Sequence, residues 1–236
     1  MILDQKTLLC FAYSIGIRLS FSQINGMERF AAALLERTQL VNLTAITDPM
    51  AVTVRHFCDS LTLLPAIPHG ARTLMDVGTG AGFPGVVVAL CRPDLQVTLV
   101  DAQLKKIEFV REICTALALP AICIHGRAEL LAREPTYRAR YDVVTQRAVA
   151  ELRAGLEYAM PLTRVGGVVL AMKGPGAAEE RVGADAARRL LGGEVRKTLD
   201  FMLPDGSARS IVCVKKVADT PPGYPRSAAA IKKRPL

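Results

Sequence analysis

The sequence predicts an α/β fold, a mostly parallel sheet covered by helices, and three observations predict it. From Arg72 onward, short apolar strand candidates alternate with helical stretches. The segment Asp76-Val77-Gly78-Thr79-Gly80-Ala81-Gly82-Phe83-Pro84-Gly85 joins the apolar run Thr73-Leu74-Met75 to the uncharged run from Val86 to Cys91. That is the layout of a strand, a tight glycine turn and a helix. The alternation then ends in two closely spaced strand-like stretches, Glu194–Leu203 and Ala208–Val217, joined by the turn Pro204-Asp205-Gly206-Ser207.

Residues 1–65 form a helical extension. The mildly apolar stretch from Leu8 to Ile17 follows Asp4 and Lys6, which fits a helix better than a signal peptide. Ser22 is placed to cap a helix carrying Met27, Phe30, Ala31, Leu34 and Leu35 at 3-and-4 spacing. Asp48-Pro49 starts another, as cap and first-turn proline, that carries Val52, Phe57 and Leu61. Pro65 to His69 reads as a break. Residues 66–217 form the central domain, with parallel strands at Thr73–Val77, Gln96–Asp101, Ala121–Ile124, Tyr141–Thr145 and Gly167–Met172. Between the second and third strands a helix sets Leu104, Ile107, Val110, Cys114 and Leu117 on one face. A helix over Ala177–Leu191 precedes the hairpin. Residues 218–236 hold four prolines and a cluster of basic residues, and read as a mobile or extended basic tail.

Composition narrows the partners. Half of the 236 residues are hydrophobic, enough for a sizeable core. No apolar run approaches the roughly 18 residues of a membrane span. The six cysteines are scattered, with no C-x-x-C pair and no histidine at ligand spacing. They read as buried free thiols in a reducing cytoplasm, without a metal site. Net charge is +8, and Arg226, Lys232, Lys233 and Arg234 supply half of it. An anionic partner such as nucleic acid fits that balance.

The glycine turn frees backbone N–H groups at a helix start to approach an anionic group of a nucleotide-like ligand. Gly80-x-Gly82-x-x-Gly85 matches the dinucleotide fingerprint; Asp76-x-Gly78-x-Gly80-x-Gly82 is an equally good register. Asp101 ends the next strand, nineteen residues beyond Gly82, where a carboxylate can hold two ribose hydroxyls or cap the helix starting at Gln103. Both NAD and S-adenosylmethionine present such a ribose. Arg127-Ala128-Glu129 follows the third strand, beside the expected adenine edge, or is an ordinary exposed ion pair. The hairpin after five parallel strands decides between the cofactors. Class I methyltransferases finish that way, so S-adenosylmethionine is expected, with an NAD-dependent oxidoreductase as the alternative.

Further segments carry a specific resemblance. They are Asn42-Leu43-Thr44-Ala45-Ile46, His56-Phe57-Cys58-Asp59-Ser60-Leu61, the Phe83-Pro84-Gly85 end of the glycine turn, and Leu99-Val100-Asp101 with Lys105-Lys106. Arg127-Ala128-Glu129, Arg147-Ala148-Val149-Ala150, Lys173-Gly174 and Tyr224-Pro225-Arg226 with the Lys-Lys-Arg-Pro-Leu end continue it. The chain resembles RsmG (GidB), the bacterial 16S rRNA guanine-N7 methyltransferase family. The resemblance implies a Rossmann-like class I fold with a seven-stranded sheet. It implies transfer of the S-adenosylmethionine methyl to N7 of guanine 527. The RNA would be met in the small ribosomal subunit or an assembly intermediate, in the cytoplasm, by a monomer. Gly78, Phe83, Ala128, Glu129 and Arg147 would then line the cofactor pocket, joining Asp76, Gly80, Gly82 and Asp101. Thr38-Gln39 stands where the family commonly has a tryptophan, and Gln146 where serine is usual.

Guanine N7 carries a lone pair and no proton, so its methylation needs no general base. The protein's task is positioning the reactants and excluding water. Arg147 is the expected functional side chain near the reaction, with an ion pair as its alternative. Arg127, Lys173, Arg226, Lys232, Lys233 and Arg234 are the expected RNA contacts. Asp76 either orients the methionine end of the cofactor or holds the glycine turn. Asn42, His56 and Asp59 have no role derivable from chemistry alone. A methyltransferase of the same fold acting on a small molecule or a protein remains the competing reading.

Overall fold

The computed structural model describes residues 1–236. Its sheet has seven strands: β1 (Thr73–Val77), β2 (Gln96–Asp101), β3 (Ile122–His125), β4 (Tyr141–Arg147), β5 (Thr163–Lys173), β6 (Gly193–Met202) and β7 (Ala208–Lys216). Their spatial order is β3-β2-β1-β4-β5-β7-β6. The first five run parallel, and β7 runs antiparallel to both β5 and β6. The chain starts in mid-sheet and grows first to one side, then to the other. The carboxyl ends of β1 and β4 therefore border the crevice where α/β folds take their ligands.

The helices are α1 (Gln5–Ser14), α2 (Phe21–Thr38), α3 (Pro49–Val52), α4 (Asp59–Leu61), α5 (Gly85–Cys91) and α6 (Leu104–Ala116). They continue as α7 (Ala128–Leu131), α8 (Leu152–Ala159), α9 (Ala177–Gly183), α10 (Asp185–Leu190) and α11 (Ala228–Lys233). A π-helical turn, Thr53–Cys58, joins α3 to α4. Both faces of the sheet are covered, so successive strand residues enter different cores. Leu74, Val97 and Leu99 pack with Phe30, Phe57 and Leu61 of the extension. Met75, Val77, Val100 and Val144 pack with Leu156 of α8 on the opposite face. Phe30 and Phe57 are fully buried, and each contributes roughly 2 kcal/mol. Residues 1–65 thus share a core with the sheet.

Several expectations need correction. Ser20, not Ser22, caps α2: its Oγ accepts from the Gln23 N–H (3.2 Å) while Gln23 Oε1 accepts from the Ser20 N–H (2.8 Å). That reciprocal box satisfies two donors, which Ser22 in the first turn cannot do. Leu104 opens α6 exposed, leaving Ile107, Val110, Ile113 and Cys114 as its buried face. The helix expected over Ala177–Leu191 is broken at Ala184 into α9 and α10. Cys10 is exposed and Cys91 and Cys123 are half-buried, so only three thiols are core residues.

The largest correction is the tail. Arg138, from the β3–β4 connection, donates to the carbonyls of Tyr224 (2.9 Å) and Thr220 (2.9 Å), and Arg133 donates to that of Pro225 (2.6 Å). Ser227 caps α11, and Ile231 is buried. The segment is docked, not extended into solvent.

Candidate active site

Two cavities open at the carboxyl edge of the sheet. The first, about 680 Å³, lies over β1, β2 and β3 and is lined by Gly78, Asp101, Ala128 and Glu129 among others. The second, about 550 Å³, lies over β4, β5 and β7 and is lined by His56, Asp59, Arg147, Lys173 and Arg209 among others. Ala150 and Glu151 line both.

In the first cavity, Gly78 has φ +69°, and a Cβ there would lie 2.8 Å from Val149 Cγ2. Only glycine lets the backbone turn this closely beneath the cavity floor. Asp101 is buried, with one oxygen accepting from the Gly80 N–H (2.9 Å) and the other from the Gln103 N–H (2.8 Å). Both readings of Asp101 therefore hold in part: it braces the turn, it orders the start of α6, and it faces the cavity. Glu129 is buried, 3.8 Å from the Arg127 guanidinium. Arg127 lines this cavity beside it. Two buried carboxylates and an uncrowded glycine backbone suit a ligand rich in hydroxyl and amine donors, as an adenosine is.

The remaining predicted cofactor residues sit elsewhere. Gly80, Gly82 and Phe83 form the turn without lining either cavity. Asp76 is wholly buried beneath the turn, where its Oδ2 accepts from the Gly85 N–H (2.9 Å) at the start of α5. Its Oδ1 has no partner. Burial pushes its carboxyl up to about 6, against the pull of the Gly85 N–H. Asp76 holds the loop through the Gly85 N–H.

Phe83 is buried and stacks on Phe30 (centroids 4.6 Å apart) and on His56 (4.6 Å). The Arg147 guanidinium lies 5.4 Å from the Phe83 ring centre. Arg147 Nη1 donates to Asp59 Oδ2 (3.0 Å) and to the Arg55 carbonyl (3.2 Å). Arg209 Nε donates to the other Asp59 oxygen (3.0 Å). Asp59 thus sits buried between two arginines from β4 and β7, with an excess of one positive charge. Burial, aided by the Arg147 charge, drives the His56 imidazole down to about 3. It is neutral, bonded through Nε2 to Thr44 Oγ1 (2.9 Å), with Nδ1 unpartnered.

Lys173 lines the second cavity and is not a solvated lysine. Its Nζ is buried against the Ala150 carbonyl (2.6 Å) and Glu180 (2.8 Å), and Glu180 also accepts from the Leu152 N–H (2.6 Å). It braces the segment that separates the cavities. Arg226 is likewise consumed, by Glu157. Lys232, Lys233 and Arg234 are all exposed, and Lys232 also lines the first cavity. Asn42 is exposed and lines neither. Sequence reasoning missed Arg209. The signal lay in the hairpin: because β7 is antiparallel to β5, its beginning returns to the carboxyl edge, with Ser210 opposite Lys173.

This sheet order and glycine crevice define a class I S-adenosylmethionine-dependent methyltransferase. Two solved structures agree on the fold. An O-methyltransferase from Bacillus cereus in complex with S-adenosylhomocysteine superposes with a TM-score of 0.58 at 16% identity, covering 92% of this chain and 100% of that one. A TehB-like methyltransferase from Corynebacterium glutamicum gives 0.51 at 17%, covering 79% and 98%. Residues 23–209 match the family model of rRNA small subunit methyltransferase G. Curated relatives carry the same name. One from Pelotomaculum thermopropionicum is 44% identical over 228 residues, covering 95% of each chain. One from Leuconostoc mesenteroides is 40% identical over 227 residues, covering 94% of this chain and 95% of its own. The chain belongs to the rRNA small subunit methyltransferase G family, and its cofactor is S-adenosylmethionine, not NAD. No helix is long and apolar enough to cross a membrane.

Proposed function

We propose that the chain methylates N7 of guanine 527 in 16S rRNA, as a monomer acting on the small subunit or an assembly intermediate. The observation that carries this is the pair of cavities meeting at Ala150 and Glu151. One offers buried carboxylates to a nucleoside, and the other offers cations to an RNA. S-adenosylmethionine supplies an electrophilic methyl group on a sulfonium. Asp101 and Glu129 would hold its nucleoside part, with the Gly78 backbone beneath. The target guanine would enter the second cavity from an exposed loop of the RNA.

The residues there suit N7 chemistry. N7 has no proton to lose, and the nearest histidine, His56, is held neutral and buried. Arg147 and Arg209 keep donors for guanine O6 or a phosphate, while Asp59 fixes their orientation. Asp59 also partly compensates the cations beside a base that becomes positive. Preorganised donors of this kind act without reorganisation during reaction.

The test is to incubate the protein and labelled S-adenosylmethionine with small subunits from a strain lacking the enzyme, then map the label. Label on N7 of that guanine is expected. Label at another base rejects the position, and label only on protein or small molecules rejects RNA as the substrate.

A further inference from the structure

The first cavity has a wall that comes from far along the chain. Ala228, Ile231, Lys232 and Pro235 line it together with Asp101 and Glu129. These residues belong to the tail, whose composition suggested a solvated RNA arm. Its anchoring is elaborate for such an arm. Glu157 of α8 is wholly buried, and Arg226 satisfies it with three hydrogen bonds: from its backbone N–H (2.8 Å), from Nε (2.8 Å) and from Nη2 (2.6 Å). Arg133 and Arg138 hold the preceding carbonyls. Beyond this latch, α11 packs on α8, and α8 packs on α7, which carries Ala128 and Glu129. The tail therefore closes part of the cavity that Ala128 and Glu129, the expected adenine contacts, also line.

We propose that residues 227–236 are part of the cofactor site, with Ile231 and Pro235 giving an apolar wall and Lys232 a cation to the nucleoside half of S-adenosylmethionine. The inference rests on assigning the first cavity to that cofactor. An apolar wall raises affinity by removing the ligand's flat face from water. Lys233 on the same short helix and Arg234 just beyond it are exposed while Ile231 is buried, so one element faces the cavity on one side and solvent on the other.

The test uses S-adenosylhomocysteine and calorimetry on the full chain and on a chain ending at Arg226, which keeps Glu157 paired. Removing residues 227–236 is expected to weaken binding by about tenfold. In the full chain, S-adenosylhomocysteine is expected to slow amide exchange across Ala228–Lys233, a readout that stands even if the shortened chain fails to fold. Unchanged affinity of the shortened chain, or exchange indifferent to ligand, overturns the proposal. Asp101→Ala separates the two levels. If it weakens binding and the truncation does not, the tail falls and the cavity stands. If neither weakens binding, the cavity itself is misassigned and the tail falls with it.

Discussion

Two buried carboxylates, Asp59 and Glu157, meet arginines in opposite ways. Glu157 is wholly buried and takes three hydrogen bonds from Arg226 alone. The pair is neutral, and the arginine is spent on the protein. Asp59 divides itself between Arg147 and Arg209, taking one hydrogen bond from each. The cluster keeps a positive charge and spare guanidinium donors beside a cavity. Similar ion pairs thus serve different ends: one fastens a segment, the other aims two cations. Partner number and donor use separate them where burial does not.

Removing one arginine from each tests this difference. Arg226→Ala leaves the buried Glu157 with only the residue 226 backbone N–H and no counter-charge, and is expected to cost roughly 3–5 kcal/mol of unfolding free energy in urea. Arg147→Ala leaves Asp59 with Arg209, so its expected cost is lower, roughly 2 kcal/mol. Its methyl transfer to small subunits is expected to fall about a hundredfold, because a mispositioned reactant loses that much. If Arg147→Ala destabilises more than Arg226→Ala while activity survives, the two roles are exchanged.

A pH experiment sharpens the Asp59 side. His56 is held near 3, below its ordinary 6.5, so between those values the unfolded chain binds more protons than the folded one. Stability falls as pH drops through that window. Asp76, raised to about 6 from 3.8, acts oppositely: its contribution rises as pH drops from 6 towards 3.8. The difference between the wild type and His56→Gln isolates the histidine. Between pH 6 and pH 5 the wild type is expected to lose about 1 kcal/mol more in urea unfolding than the variant. The smallest effect is expected for Lys233→Ala, an exposed tail residue away from both carboxylates. Its stability should stay within about 0.5 kcal/mol, and its affinity for small subunits should drop slightly, with a shallower salt dependence.

The strands and the glycine turn were legible because their signals are local. Apolar runs of strand length alternate with amphipathic helices, and Asp48-Pro49 caps α3 as its sequence suggests. The capping box of Ser20 and Gln23 was equally local but lay one step outside the apolar pattern. What was illegible depends on distant partners. Arg226 reads as a tail charge until Glu157, sixty-nine residues earlier, is placed beneath it. Lys173 reads as a surface lysine until the Ala150 carbonyl and Glu180 close around it. Asp59 and Arg209, one hundred and fifty residues apart, acquire meaning only when β7 returns to the carboxyl edge.

The π-helical turn at Thr53–Cys58 carries a consequence for how this chain tolerates changes in length. A π turn holds one residue more than an α turn. Deleting a single residue there would leave an ordinary α turn with the residues beyond it in nearly the same rotational phase, whereas a deletion within a regular helix such as α2 would swing everything beyond it by roughly 100°. Asp59, the first residue after that turn, would keep its aim at Arg147 and Arg209. A deletion scan should therefore find loss of the exposed Arg55 milder than loss of an exposed residue near the start of α2, which puts the buried Phe30 and Leu34 out of register. Here one surplus residue can be lost while the direction of a charge is kept.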